Sequence, residues 1–457
     1  MLFNSHIFML LFLPLLLAGW YFLNWKKKFQ LAQGYLIGMS LWFYAYANLQ
    51  YLWLLLFSCL IGWLLSCLPE KIFSEKGKKV LTGVGCVFHL GLLGYFKYSN
   101  FFLENLNTVF HTDFPMLQIL LPVGISFYTF QQLAYLIDRC RGDAPRDSFF
   151  DYLTFMVYFP QLLQGPILLR SEFMGQLKEP ERRRFHAERF SEGIQFFVFG
   201  LAKKVLLADT LAKAVNYGYS NVSMLDSISA LLLAVGYLTE LYFDFSGYCD
   251  MAVGLGKMIG LEVAENFDAP FHSASVKEFW RRWHMTLGRF FTRYVYIPLG
   301  GNRRGKMRTL CNVMIVMLLS GLWHGAAWTF VLWGFLHGVG MIWDNLEHPH
   351  LPKKWMRQAA TFAYVCMTFV FFRAESIAQG IDVLKSIVSL KWNGFVFQMA
   401  SALDMTECYM ITKALSMKLP GLLSWFWLGI FVVLIAICVR VLFGEKVSGV
   451  VALQRQK

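Results

Sequence analysis

Apolar residues in this chain gather into runs of roughly twenty, the length that carries a helix across a bilayer, and short basic stretches separate them. Runs near residues 7–23, 31–47, 51–68, 80–96 and 117–137 read as spanning helices. They are followed by 194–208, 228–245, 309–319, 328–343, 359–372 and 422–442. The first run has no basic residue before it and no small-x-small cleavage site, and Lys26, Lys27 and Lys28 follow it. It therefore reads as an uncleaved first span with the N-terminus outside and the lysines held in the cytoplasm. A basic tail (Lys446, Arg455, Lys457) placed on the cytoplasmic side requires an odd number of crossings, and about eleven fits the arithmetic. The fold class is all-α, a polytopic transmembrane helical protein. With no internal repeat and no low-complexity linker, residues 1–457 read as a single integral-membrane domain.

Two stretches break the alternation. Residues 149–169 are long enough to cross, but basic loops flank them at 139–146 and 182–189, and Pro160, Gly165 and Pro166 interrupt them. Two readings fit: a re-entrant hairpin buried in protein or facing a water-filled cavity, or one kinked span. Residues 262–306 are too charged to cross lipid and too aromatic for a plain loop. Arg282, Arg289 and Arg293 fall at i, i+7 and i+11 on one helical face, with Phe279, Trp283, Phe290 and Tyr294 on an adjacent one. This spacing predicts an amphipathic helix at the headgroup plane. Ser275 stands as its N-cap, and Glu278 has capping-box spacing.

Composition agrees with a membrane protein. Of 457 residues, 57% are hydrophobic and 16% charged, too little charge to cover a soluble domain of this length. The aromatic share of 17% suits residues seated at lipid–water boundaries. The net charge of +13 is not a nucleic-acid signal, because the cations fall in short clusters between apolar runs, as loops facing anionic lipid do. Nine cysteines, mostly in apolar stretches and without a CxxC, give neither a disulfide framework nor a metal site.

His324, in Ser320-Gly321-Leu322-Trp323-His324-Gly325, sits in a run otherwise free of charge. A titratable group there is costly and points to function, and a neutral imidazole is a natural general base. The competing reading is a helix-packing histidine bonded to a carbonyl. His284 follows Arg281 and Arg282, cations able to attract a phosphate-bearing donor; alternatively it is an ordinary interfacial histidine. His337 reads as a structural hydrogen-bonder, and His89, His111, His186, His348 and His350 receive no role. Glu240, Asp244 and Asp250 intrude on the run TELYFDFSGYCDMAVG. They read as a structural ion-pair network, with the arginines of the amphipathic element as the nearest partners. A catalytic role is the lesser alternative. There is no Gly-rich phosphate loop, GxSxG elbow or HExxH motif.

Taken in order, several blocks resemble the membrane-bound O-acyltransferases, in particular the bacterial alginate and peptidoglycan O-acetyltransferase branch. They are LPVGISFYTFQQLAYLIDRCRG from Leu121, FPQLLQGPI from Phe159, YFDFSGYCDMAVG from Tyr242 and NFDAPF from Asn266. FWRRWHMTLGRFFTRYVYIPLGGNRRG from Phe279, SGLWHGAAWTFVLWGFLHG from Ser320 and FFRAES from Phe371 complete the series. The D-alanyl transfer proteins of teichoic acid modification share the RRWH and WHG blocks. Cys249 and Leu168-Leu169 stand where the pattern leads one to expect more polar residues.

The resemblance implies re-entrant and interfacial helices among spans that ring a central funnel narrowing to a thin partition. It makes His324 the catalytic histidine and His284 the second one; read from the residues themselves, Arg281, Arg282, Arg289, Arg293 and Trp323 are placed on the donor side, where the arginines guide its phosphates. No cofactor is bound; the donor is a cytoplasmic thioester, acetyl-CoA in this branch. The acceptor is an exported or cell-wall polysaccharide, reached through a separate periplasmic or extracellular acetyltransferase, and the location is a bacterial inner membrane. Alginate, peptidoglycan, cellulose-like and capsular glycans all remain open as acceptors. The alternatives are D-alanyl or other acyl transfer to an envelope polymer, a polytopic transporter, and a scaffold that only docks the extracellular transferase.

Overall fold

The computed structural model describes residues 1–47, 49–67, 75–346 and 353–443. Every regular element among the described residues is helical. His348, His350, Leu68 and the basic tail lie outside them. The chain resolves into two compact units. One comprises Met1–Val198, Tyr248–Asn266 and Thr286–Pro298, and the other Phe199–Gly247, Phe267–Met285 and Leu299–Lys457.

Among the described residues, six helices are long and apolar enough to cross a membrane: Phe8–Trp25, Gln50–Cys67, Lys76–Phe110, Ser227–Ile259, Lys306–His324 and Pro420–Leu442. Each coincides with one of the expected runs. Four more expected runs also fold as helices, within Phe29–Ala47, Ala187–Ala202 with the π-helical turn Lys203–Ala208, Trp328–Asn345 and Lys354–Arg373. These carry polar residues that protein, not lipid, must satisfy: Gln33 is buried and its amide donates to Asp151 (2.9 Å) and Thr154 (2.8 Å). The count of about eleven spans is thus not reproduced by length and hydropathy alone.

The run at 117–137 does not form one span. Residues 111–122 are non-helical, and the helix Ile125–Arg141 starts only after them. Pro115 and Pro122 deny this segment amide donors. The side chains of Asn107 and Asn100 hold it instead, each exchanging two 2.9 Å bonds with the backbone of Phe114 and Leu117 respectively. Gly124, at φ 78°, turns the chain into the helix beside the carbonyl of Leu162, where any side chain would collide.

Residues 149–169 form a broken segment and not a kinked span. The helix Phe149–Val157 is capped by Ser148 Oγ, which accepts from Asp151 N at 3.1 Å. At nine residues it is roughly 14 Å long, too short to cross. The four-residue helix Phe159–Leu162 follows, and the chain then runs irregularly through Gly165. Residues 154–162 are buried throughout, so protein covers the broken backbone.

In the second unit, Lys306–His324 and Trp328–Asn345 form a tight antiparallel hairpin. Gly321 packs on the Phe330 carbonyl and Gly334 on the Met317 carbonyl, so that a Cβ at either position would strike backbone. The missing side chains bring the two helices together and fix His324 at the turn. The core around them includes Leu211, Leu238, Phe243, Trp333, Val365 and Phe369.

Candidate active site

The amphipathic element begins as the sequence indicates. Ser275 Oγ accepts from Glu278 N at 3.1 Å, and the Glu278 carboxylate accepts from Ala274 N at 2.8 Å. It does not continue as one helix. Val276–Arg282 ends, Trp283 is extended, His284 adopts φ 45°, and a new helix runs Met285–Phe291 into the π-helical turn Thr292–Tyr296. The expected single face of Arg282, Arg289 and Arg293 is therefore split. Burial of adjacent rings is the cause: Trp283 packs on Phe267 (5.1 Å), Phe279 (5.4 Å) and Phe369 (5.5 Å), and a continuing helix would turn His284 elsewhere. A left-handed non-glycine residue costs about 1 kcal/mol or more, which the packing of both rings must offset.

The break places His284 beside the hairpin turn. Its ring lies 4.8 Å from Phe245, 6.0 Å from Trp323 and 6.5 Å from His324, measured between centroids. His324 in turn packs on Trp323 (4.8 Å), Phe372 (5.1 Å) and Trp333 (5.2 Å). Two histidines separated by 39 intervening residues thus share one aromatic enclosure. His284 is 1% exposed, and burial pushes its imidazole down to about 3, leaving it neutral at any physiological pH. His324 is half-buried and is the last residue of its helix. The helix is roughly 28 Å long, about one hydrocarbon thickness, so His324 lies at the opposite end from Arg303, Arg304 and Lys306.

His337 is a hydrogen-bonding strut. Its Nδ1 accepts from Trp280 Nε1 at 3.2 Å. Its Nε2 meets Thr368 Oγ1 at 2.9 Å, whose own proton goes to the Val365 carbonyl. That pattern assigns the ring proton to Nε2.

The arginines meet carboxylates. Arg282 pairs with Glu278 (3.0 Å) and Asp268 (3.6 Å). In the first unit, Arg289 makes a two-pronged pair with Glu172 and donates to the Ile167 carbonyl at 3.1 Å. There too Arg293 bonds Asp138 and Asp143, each at 3.0 Å. Arg281 is exposed. Asp244 pairs with Lys204 and not with an arginine of the amphipathic element, and Lys204 also holds Asp209 at 2.7 Å. Lys204 emerges from the π-helical turn Lys203–Ala208 and so comes within reach. Asp250 belongs to the first unit and Glu240 and Asp244 to the second.

A sequence profile of the membrane-bound O-acyltransferase family matches residues 141–380, more than half of the chain and inclusive of both histidine blocks. The chain belongs to that family. As a membrane-bound O-acyltransferase it is 35% identical to the peptidoglycan O-acetyltransferase of Helicobacter pylori, over 85% of this chain and 80% of the relative. It is 39% identical to a probable alginate O-acetylase of Azotobacter vinelandii, over 82% of this chain and 76% of the relative. The teichoic acid D-alanyltransferase of Bacillus subtilis is 28% identical over 55% of this chain and 69% of the relative. The protein is thus a multi-pass membrane acyltransferase, which sets the transporter reading aside. The sequence did not single out Phe245, Trp333 and Phe372, the walls of this acyltransferase's histidine enclosure. All three lie inside the blocks YFDFSGY, WTFVLWGFLHG and FFRAES, which were the available signal.

Proposed function

We propose that this acyltransferase moves an acetyl group from a cytoplasmic thioester, acetyl-CoA, to a hydroxyl of an exported or cell-wall polysaccharide of the alginate or peptidoglycan kind. Residues 1–457 act as one membrane domain, in a bacterial inner membrane with the N-terminus outside and the C-terminus in the cytoplasm. A periplasmic or extracellular acetyltransferase passes the group on. The observation that carries this reading is the 6.5 Å approach of His284 to His324 inside an aromatic enclosure.

The acceptor hydroxyl oxygen attacks the thioester carbonyl while His324 takes the hydroxyl proton. The C–S bond then breaks, and the departing thiolate carries that proton away from the imidazolium. His284, kept neutral by burial, positions His324 and the thioester. Trp323 and the other rings exclude water, so the thioester is not hydrolysed. Exposed Arg281 meets the donor phosphates, while Arg282, Arg289 and Arg293 are taken up by their carboxylate pairs.

Purified protein in proteoliposomes, given radiolabelled acetyl-CoA, the periplasmic or extracellular acetyltransferase and polysaccharide fragments, tests this. Wild type transfers label to the glycan, and His324→Ala lowers transfer by about 10²–10⁴-fold, the range of a general base. Undiminished transfer by folded His324→Ala, or transfer of D-alanine and not acetyl, overturns the reading.

A further inference from the structure

Two short helices of the second unit treat their apolar residues differently. Ile377–Val388 buries Gly380 and Val383 in protein, whereas Tyr409–Lys418 buries none of its ten residues. Its sequence, YMITKALSMK, is nevertheless two-faced. Met410, Ile411, Ala414 and Met417 fall at i, i+1, i+4 and i+7, within about a third of the helix circumference. Thr412, Lys413 and Ser416 fall opposite. Met410 is 78% exposed and Met417 75%.

The place of this helix in the chain decides what meets its apolar face. It packs on Pro420–Phe443, and only Leu419 separates its end from Pro420, where the most apolar of the six spans begins. One connecting residue reaches about 4 Å, so the short helix stays at the edge of the bilayer. Leu419, Leu422, Trp425 and Val433, all more than half exposed, carry the apolar surface onward from Met417 into the span. The two surfaces therefore meet one medium. Tyr409, Lys413, Lys418 and Trp425 are residue types of the lipid–water boundary, where aromatic rings sit at headgroup level and lysine stems lie along acyl chains. Lys413 Nζ rests 5.6 Å from the centre of the Tyr409 ring.

We infer that Tyr409–Lys418 is an interfacial helix lying along the bilayer surface, with lipid as the partner of its apolar face. Met410, Ile411, Ala414 and Met417 are immersed among the upper acyl chains, and Lys413 and Ser416 turn to headgroups and water. A protein seated on the same face would have to displace lipid that the adjoining span already contacts.

Photo-crosslinking of the full-length protein in cell membranes tests the assignment. The photoreactive residue p-benzoylphenylalanine replaces Met410, Ala414, Met417 or Lys413, one at a time, and the purified protein is weighed by mass spectrometry after illumination. Phospholipid adducts are expected at Met410, Ala414 and Met417, several-fold above the yield at Lys413. Met410→Glu combined with Met417→Glu lowers the lipid adduct at Ala414 several-fold, and the fold persists because neither side chain is buried. Equal lipid yields at all four positions, or none at the apolar three, overturn the inference, as does an unchanged yield at Ala414 in the double glutamate variant. A polypeptide adduct at Met410, Ala414 or Met417 overturns it too, and assigns the face to a protein.

Discussion

Around Arg289 and Arg293 in the first unit, every named cation meets a carboxylate: Glu172 for one, Asp138 and Asp143 for the other. Around His284 and His324 in the second, the titratable rings meet aromatic faces, those of Phe245, Trp323, Trp333 and Phe372. His284, Arg289 and Arg293 come from one short stretch of sequence, yet the two sets are arranged for opposite ends. A charge closed by a partner holds structure and has little left for a substrate. Rings walled by aromatic side chains instead share a space from which water is excluded. The contrast predicts that perturbing the first set lowers stability, and that perturbing the second lowers chemistry.

The largest structural effect is expected at Arg170, whose guanidinium grips Asp147 with both side chains nearly buried, 13% and 1% exposed. Arg170→Ala leaves that carboxylate uncompensated and is expected to cost about 3–5 kcal/mol. Thermal unfolding in detergent measures it, and an unchanged melting temperature breaks the structural half of the comparison. Gly334→Val comes next. Its side chain would strike the Met317 carbonyl, opening the hairpin that carries His324, at about 3 kcal/mol for overpacking. Gly83→Val, at a position with open space around it, is the near-neutral control.

Acid gives the third effect. Burial holds the folded-state His284 pKa near 3 against an ordinary value of 6.5. Above pH 6.5 both folded and unfolded states are neutral and nothing is lost. Below it the unfolded state binds a proton that the folded state refuses, so stability declines as pH falls from 6.5 toward 3. The loss is on the order of 1 kcal/mol for each pH unit below 6.5. His284→Gln should flatten that part of the profile, and an unaltered slope counts against a neutral buried ring. The smallest effect belongs to Arg289→Ala. Its pair with Glu172 is about one-third exposed on each side, so roughly 1 kcal/mol is expected, with an unchanged KM for acetyl-CoA. A raised KM without loss of stability would move Arg289 to the donor site.

Much of the architecture was readable because lipid imposes a simple rule of length and apolarity, which the six qualifying helices obey. The Ser275 cap and Glu278 were readable because capping chemistry is local. The break at Trp283–His284 was not: RRWHMT contains no proline or glycine, and a packing demand from Phe267 and Phe369, distant in sequence, decides it. Lys204 as partner of Asp244 was hidden for a similar reason, since a π-helical turn and not the helical repeat sets its direction. Both histidines were visible one at a time, as polar residues in costly places. That they meet is a property of the fold, absent from the spacing of either block.

A double-mutant cycle tests the pairing of the two rings most directly. Acetyl transfer from radiolabelled acetyl-CoA is measured for His284→Ala, His324→Ala and both together, each normalised to folded protein. If the rings serve one site, the double variant loses scarcely more activity than His324→Ala alone, a non-additivity expected of residues acting as a unit. Losses that simply multiply would mean that the two histidines work independently, and the shared enclosure would have no catalytic meaning.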